Sequence, residues 1–427
     1  MIPLVLVFLL MFLLKWPGLL PFANIDQSTS LALGFILVFA YLLGNNLKRI
    51  SLPQITGFII AGIVCGPYIS NFVSESNVSD LQLLDGLALS LIALTAGGEM
   101  KIKKLKTQFK TITSIVLFQT MMVLLGFLLL GMIGQYFIPF FEGMSFLRLL
   151  AFSLLLGTLM TPTSPATTIA VMTETKSSGK FTDLILGGAV VKDFLVIVIF
   201  SFSLSFSKSV SMPSHDFEFS FLLHILGEVG GSILFGLLIG VGIILYFRFI
   251  KRDIIIFILS IAFFSYQISH NYGYHPLLIC LVAGFIAENF SSQGKLLISA
   301  IERSSVPVYV VFFAISGASL DLGALRQTWL LALGCVFLRG VLKFAGTFFG
   351  SRLTGEGKEV QRLGWAGFIS QAGVALGMAI VIQDNFPDWG NEFMALVLGV
   401  IAINQIAGPV FLQKLLIRVK EAGKKIV

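Results

Sequence analysis

Residues 161–206 read TPTSPATTIAVMTETKSSGKFTDLILGGAVVKDFLVIVIFSFSLSF. An apolar segment runs into this stretch and meets Pro162 and Pro165, set among Thr161, Thr163 and Ser164. Proline lacks an amide hydrogen and its ring clashes with the preceding turn, so a helix is interrupted here. A short polar connection follows, then a second apolar segment with Lys192 and Asp193 side by side in its middle. Irregular backbone and ionisable side chains are both costly in a lipid core and persist where protein or a cavity surrounds them. Their presence in consecutive segments points to a site.

The rest of the chain supplies the lipid context. Of its 427 residues 56% are hydrophobic and 12% charged, with a mean hydropathy of +0.94. That excludes an ordinary water-soluble globule and predicts an all-α polytopic membrane protein. Fourteen apolar segments of the ~17–25 residues needed to span a bilayer fall near 2–22, 31–47, 52–69, 81–98, 111–137, 146–172, 183–206, 219–247, 254–270, 273–289, 304–320, 328–351, 361–383 and 391–416. The ninth and tenth are short enough to be partly re-entrant. The first lacks the basic start of a signal peptide and reads as a membrane segment bent or ended by Pro17. Cys65, Cys280 and Cys335 all lie in apolar runs, so they make neither a disulfide framework nor a zinc set. The net charge of +7 resides in short loops, which argues against nucleic acid as a partner. No soluble regulatory domain is expected at either end.

Loop charges alternate. With the N-terminus in the cytoplasm, the even loops carry Lys48 and Arg49, Lys101 to Lys110, Lys176 and Lys180, Arg248 to Arg252, Lys295 and Arg303, Arg352 to Arg362, and Lys414 to Lys425. The odd loops hold few basic residues and instead Asp26, Glu75, Asp80, Glu142, Asp216, Glu218, Asp321, Asp384, Asp388 and Glu392. The positive-inside rule therefore puts both termini in the cytoplasm. The basic run KIKKLKTQFK reads as a topology determinant at the lipid surface, with a lipid-binding patch as the alternative.

Few charges remain at membrane depth: Lys192, Asp193, Glu228, Arg339 and Lys343. Asp193 lies ~15 Å into the seventh segment at the helical rise. Glu228, in HILGEVGG, is expected to meet another helix or a lipid headgroup, and Lys343 to snorkel toward the cytoplasmic face. Segments two to seven (31–206) and nine to fourteen (254–416) form two sets of six with opposite topology. The eighth (207–253) is a linker, 1–30 an extra N-terminal piece and 417–427 a short tail. The fifth member of the first set is broken by TPTSP; the fifth of the second carries Gly367, Ser370, Gln371 and Gly373 at its centre. Interrupted segments at matching positions of inverted halves point to a midplane binding site and a transporter.

Several stretches resemble one family. LPQITGFIIAGIVCGP, LSLIALTAGGEMKIKKLK, TPTSPATTIAVMTE, ILGGAVVKDFLVIVIF, HPLLICLVAGFIAE and VYVVFFAISGASLDL, in this order, are similar to the monovalent cation:proton antiporter superfamily, in its bacterial sodium/proton and potassium-efflux branch. The resemblance covers about residues 31–416. It implies crossed broken helices, a homodimer in the bacterial inner membrane, no cofactor, and Na⁺ or K⁺ exchanged for H⁺. It implies that Asp193 binds cation and proton in turn, that Thr163 lends a carbonyl, and that Ser164 stands where some relatives have Asp. Arg339 matches a buried arginine that braces the core. Lys192 departs from the family: it stands where the electrogenic branch has a second Asp and the electroneutral branch an Asn.

The physical reading agrees. A carboxylate buried at mid-membrane is neutral unless a cation replaces its proton, and that competition suffices for exchange. Oxygens of Asp193, of the backbone around Thr161–Ser164 and of Gln371 would replace the water of the ion. Lys192 points ~100° away around the helix, so it serves charge balance and cannot face the same ion. These features predict electroneutral exchange. The alternative for Asp193 is a structural charge pair with Arg339 or Lys343; the alternative for the whole chain is a symporter or channel on the same architecture. An enzyme is not expected: His215, His224, His270 and His275 show no metal-site spacing.

Overall fold

The computed structural model describes residues 2–14, 29–137, 144–211, 219–250, 252–291, 307–320, 322–371, 374–386 and 388–423. The expectations for Lys15, Pro17, Asp26, Glu142, His215, Asp216, Glu218, Lys251, Lys295, Arg303, Asp321, Gly373 and Lys424–Lys425 lie outside them. The protein is an all-helical membrane protein with several apolar spans. Its first helices are α1 (Ile2–Leu14), α2 (Thr29–Arg49), α3 (Gln54–Cys65), α4 (Glu75–Asp80), α5 (Gln82–Glu99) and α6 (Ile102–Gly134). Then come α7 (Phe146–Met160), α8 (Pro165–Thr175), α9 (Lys180–Ser211), α10 (Phe219–Phe249), α11 (Ile254–Tyr272) and α12 (Pro276–Phe290). The last are α13 (Pro307–Ala318), α14 (Leu322–Leu353), α15 (Lys358–Leu363), a 3₁₀ turn (Gly364–Phe368), α16 (Val374–Asn385) and α17 (Gly390–Arg418).

Among the described residues, seven helical stretches are long and apolar enough to cross a membrane, and shorter apolar helices accompany them. Two boundaries differ from expectation for local reasons. The third segment stops at Cys65 because Gly66 and Pro67 follow. The basic run after Lys101 is helix, not loop: α6 starts at Ile102, whose amide donates to Asn289 Oδ1 (2.8 Å). Its Lys, Leu and Gln are strong helix formers.

Small residues set the helix spacing. A Cβ on Gly97 would lie 2.0 Å from Leu281 O, and one on Gly284 2.2 Å from Leu94 O, so α5 and α12 pack backbone to backbone. On α14, Gly346 and Gly350 press against Gln119 and Ile115 of α6 in the same way. Gly284→Val must therefore force α12 off α5. Overpacking of this kind typically costs about 1–3 kcal/mol, and the thermal unfolding midpoint in detergent is expected to fall. An unchanged midpoint would mean that the pair separates freely.

The largest buried apolar core joins α2, α3, α5, α6, α8, α9 and α17 through Phe39, Ile59, Ile92, Ile115, Ile169, Ile185 and Leu412, and two smaller ones flank it. One joins α6, α7, α9, α14, α16 and α17 through residues such as Phe127, Phe152, Val196, Cys335, Ile382 and Phe393. Another joins α5, α10, α11 and α12 through Leu91, Leu94, Phe247, Ile258 and Cys280. α9, which carries Asp193, is held at its start by the end of the chain. The Glu421 carboxylate accepts from Phe181 N, Thr182 N and Thr182 Oγ1, each at 2.8 Å. Residues 419–423 are thus docked rather than a free tail, and they satisfy amides that a helix start leaves open.

Candidate functional site

The first break lies between α7 and α8. Ser164 caps α8, its Oγ accepting from Thr167 N (3.1 Å), with Pro165 in the first turn. Proline suits that position because the amide it lacks has no intrahelical partner there. The second break follows the 3₁₀ turn, at Ile369, Ser370 and Gln371. The two cross in contact. Ser164 N donates to Ser370 O (3.0 Å) and Thr163 Oγ1 donates to Phe368 O (3.1 Å). Gly408 of α17 makes room, since a Cβ there would lie 2.4 Å from Ser370 Cα.

Breaking two helices leaves buried carbonyls without amide partners, and such groups need donors. α14 supplies most of them. Arg339, fully buried, donates through Nε to Met160 O (2.8 Å) and through its two terminal nitrogens to Ile369 O and Pro162 O (both 2.7 Å). Lys343 Nζ, one turn on, donates to Phe368 O (2.5 Å), Thr163 Oγ1 (3.0 Å) and Pro162 O (3.1 Å). Gln371 Nε2 donates to Leu159 O (2.6 Å), and Asn404 Nδ2 donates to Gln371 Oε1 (3.0 Å). The C-terminal end of a helix carries partial negative charge, so cations at the ends of α7 and the 3₁₀ turn are well matched. Lys343 therefore does not snorkel to the surface as its sequence position suggested: the carbonyl cluster at the crossing offers its ammonium three acceptors at depth.

Asp193 stands apart from this cluster. It is half-buried and lines a cavity of about 350 Å³ with Ala93 and Ala96 of α5, Pro165 and Ala166 of α8, and Val374 of α16. His275 and Pro276, at the start of α12, also line it. The cavity lies where the three cores meet: Ile169 and Val191 belong to the largest, Ile197 and Val374 to the second, Ala93 and Leu277 to the third. Among the described residues the carboxylate makes no hydrogen bond or ion pair. The donors of Arg339 and Lys343 go to the crossing instead, which disfavours a structural charge pair. Thr161, Thr163 and Ser164 are not among the cavity wall residues. Thr161 Oγ1 donates to Gly157 O (3.0 Å), and the Ser164 hydroxyl is taken by the α8 cap.

Lys192 turns away from Asp193. Its ammonium donates to Gln119 Oε1 and lies 4.6 Å from the centre of the Phe368 ring. Gln119 Nε2 in turn donates to Thr347 Oγ1 (2.5 Å), whose hydroxyl bonds Lys343 O (2.8 Å). Gln119, Thr347 and Asn404 were not singled out from sequence. The available signal was an amide or hydroxyl inside an apolar run, as in SIVLFQTMMV. Glu228 meets the start of another helix: its Oε2 lies 3.8 Å from Nε2 of His275, which caps α12.

Comparison with known proteins supports the same assignment. The family described as "Sodium/hydrogen exchanger, transmembrane" matches residues 3–418. A probable Na⁺/H⁺ antiporter 3 of Methanocaldococcus jannaschii is 23% identical over 389 residues, covering 90% of this chain and 95% of that protein. The Na⁺/H⁺-K⁺ antiporter GerN of Bacillus cereus is 23% identical over 393 residues, covering 88% and 94%. The solved structure of the sodium proton antiporter MjNhaP1 from Methanocaldococcus jannaschii at pH 8 superposes with a TM-score of 0.65 at 17% identity, covering 91% of this chain and 98% of that one. With crossed helix breaks, buried cations on α14 and a match over nearly its whole length, the chain belongs to the transmembrane sodium/hydrogen exchanger family, a family of transporters and not of enzymes.

Proposed function

We propose that the protein exchanges a monovalent cation, Na⁺ or K⁺, for protons by alternating access, with Asp193 binding one or the other in turn. The observation that carries this reading is a carboxylate without hydrogen bond or ion pair among the described residues, lining a cavity with otherwise almost wholly apolar walls where α5, α8, α9, α12 and α16 meet. A bare carboxylate moved through an apolar seam carries a large desolvation cost. A bound proton or cation cancels its charge, so the helices around the cavity shift past one another only when the site is loaded. The permanent donors at the crossing are already engaged with carbonyls and do not enter that competition. The same reading takes 31–206 and 254–416 as inverted repeats within 13–14 spans. It takes the protein as a homodimer in the plasma membrane with both termini cytoplasmic, as loop charge and family likeness support.

Lys192 marks the stoichiometry. With one carboxylate in the cavity and the neighbouring Lys192 held by Gln119, one cation replaces one proton. Proteoliposomes loaded with a pH-sensitive dye are expected to show cation-driven proton flux with Na⁺, K⁺ or both. Solid-supported membranes carrying the protein should show no current that scales with substrate after leak correction. Such a current, with the Lys192–Gln119 pair intact, would refute one-for-one exchange. Proton flux indifferent to every cation would refute antiport.

A further inference from the structure

We infer that the Asp193 cavity takes its cation together with most of the ion's water, so that the site reads charge rather than ionic size and accepts Li⁺, Na⁺ and K⁺ alike. The inference rests on the antiport reading above and adds how the site holds its cargo.

The walls give the first argument. Among the described wall residues, Asp193 and His275 alone carry polar side chains; the rest are alanine, proline, valine, leucine and isoleucine. Hard cations take oxygen ligands, and an imidazole offers none. One carboxylate does not stand in for a whole hydration shell, and an ion stripped of water among apolar groups carries a large desolvation cost. Room is not limiting. The small side chains of Ala93, Ala96 and Ala166 form part of the walls, and the cavity measures about 350 Å³. One water takes up ~30 Å³ in the liquid, so an ion and several waters fit.

The crossing of the two breaks gives the second, because oxygens gather there and are already committed. Pro162 O, Phe368 O and Ile369 O each accept from the Arg339 guanidinium, the Lys343 ammonium or both. A metal cation seeking those oxygens would stand beside two fixed positive charges, and like charges that close repel strongly away from bulk water. Gln371 Oε1 accepts from Asn404 Nδ2 (3.0 Å), and the Thr163 hydroxyl donates to Phe368 O (3.1 Å). The protein therefore leaves the water on the ion. Discrimination between alkali ions comes from the size, number and field strength of the ligands that replace the hydration shell. A lone carboxylate facing a hydrated ion supplies little of it.

The test uses full-length protein in proteoliposomes. Half-saturating concentrations of Li⁺, Na⁺ and K⁺ for proton flux are expected to lie within about fivefold of one another, or about 1 kcal/mol of discrimination. A wider spread overturns the inference. Tetramethylammonium should compete with Na⁺, since Asp193 meets its charge and the apolar walls suit its methyl groups. Supplied at the half-saturating Na⁺ concentration, it should raise that concentration about twofold and leave the maximal rate unchanged. A site built to strip and coordinate a small ion would exclude it, so absence of competition also overturns the inference.

A second measurement does not need transport. At alkaline pH, where protons compete least, the chlorides of Li⁺, Na⁺, K⁺ and tetramethylammonium should each raise the thermal midpoint of the wild-type protein in detergent by similar amounts. None should raise that of Asp193→Asn. A rise with one alkali ion alone, or equal rises in both proteins, would overturn the hydrated site. Absence of exchange by the wild-type protein would instead strike at antiport, and the midpoints would still decide how the cavity holds a cation.

Discussion

Asp193→Asn is expected to reduce cation-driven proton flux to that of protein-free vesicles while leaving the folded protein unchanged. Asparagine keeps the size and shape of the side chain but neither gains nor loses a proton, so the site is locked in one neutral state. Neither cargo can displace the other, and the exchange cycle has no driving competition. The fold should not notice, because the carboxylate has no hydrogen bond or ion pair among the described residues. Removing it strands no buried partner, in contrast with most buried charges. The prediction is therefore double: flux lost in a dye assay, thermal midpoint held in detergent. Asp193→Glu keeps the charge but advances it by one methylene into the cavity, and should retain partial flux with altered cation preference. Full exchange by Asp193→Asn would move the ion site elsewhere. A large fall in its midpoint would mean that the carboxylate is structural after all.

The separation of roles seen here was only partly legible in sequence. TPTSP announced the first break because proline acts locally, and Asp193 and Arg339 stood out because charge is rare in apolar runs. The partners of the break were invisible. Ser164 and Ser370, far apart in the chain, are joined by a backbone bond, and nothing in either residue type encodes the other. Position along a helix suggested that Lys343 would reach for the surface, since its stem is long enough to do so. The carbonyls that keep it inside exist only once the two breaks cross. The family resemblance implied the roles of Thr163 and Ser164, and the freed carbonyls around Thr161–Ser164 were the expected ligands. What sequence could not give is that the hydroxyls of these residues bond to the crossing and to helix ends. Lys192 turned from Asp193 by helical geometry, as expected, but Gln119 as its acceptor depends on how α6 packs on α14 through Gly346 and Gly350.

Arg339 carries the largest expected effect on the fold. Its guanidinium joins three separate pieces of chain: the end of α7 at Met160, the first break at Pro162 and the second at Ile369. A planar fork with several donors in fixed directions can do this, whereas a lysine ammonium on a single stem cannot span all three. Arg339→Lys should therefore fail to rescue what Arg339→Ala loses, although it keeps the charge. Each buried carbonyl left without a donor costs about 1–3 kcal/mol. Pro162 O retains Lys343, so two carbonyls are stranded outright and the loss is several kcal/mol. Midpoints should fall by roughly 5–10 °C, and exchange should fall with them because both breaks drift from the Asp193 cavity. Gln371→Leu, which removes the donor to Leu159 O, strands one carbonyl and should lie between Arg339→Lys and the wild type. A wild-type midpoint for Arg339→Lys would mean that charge alone braces the crossing. The fork geometry would then be incidental, and the burden would pass to Lys343, whose ammonium reaches two of the same segments.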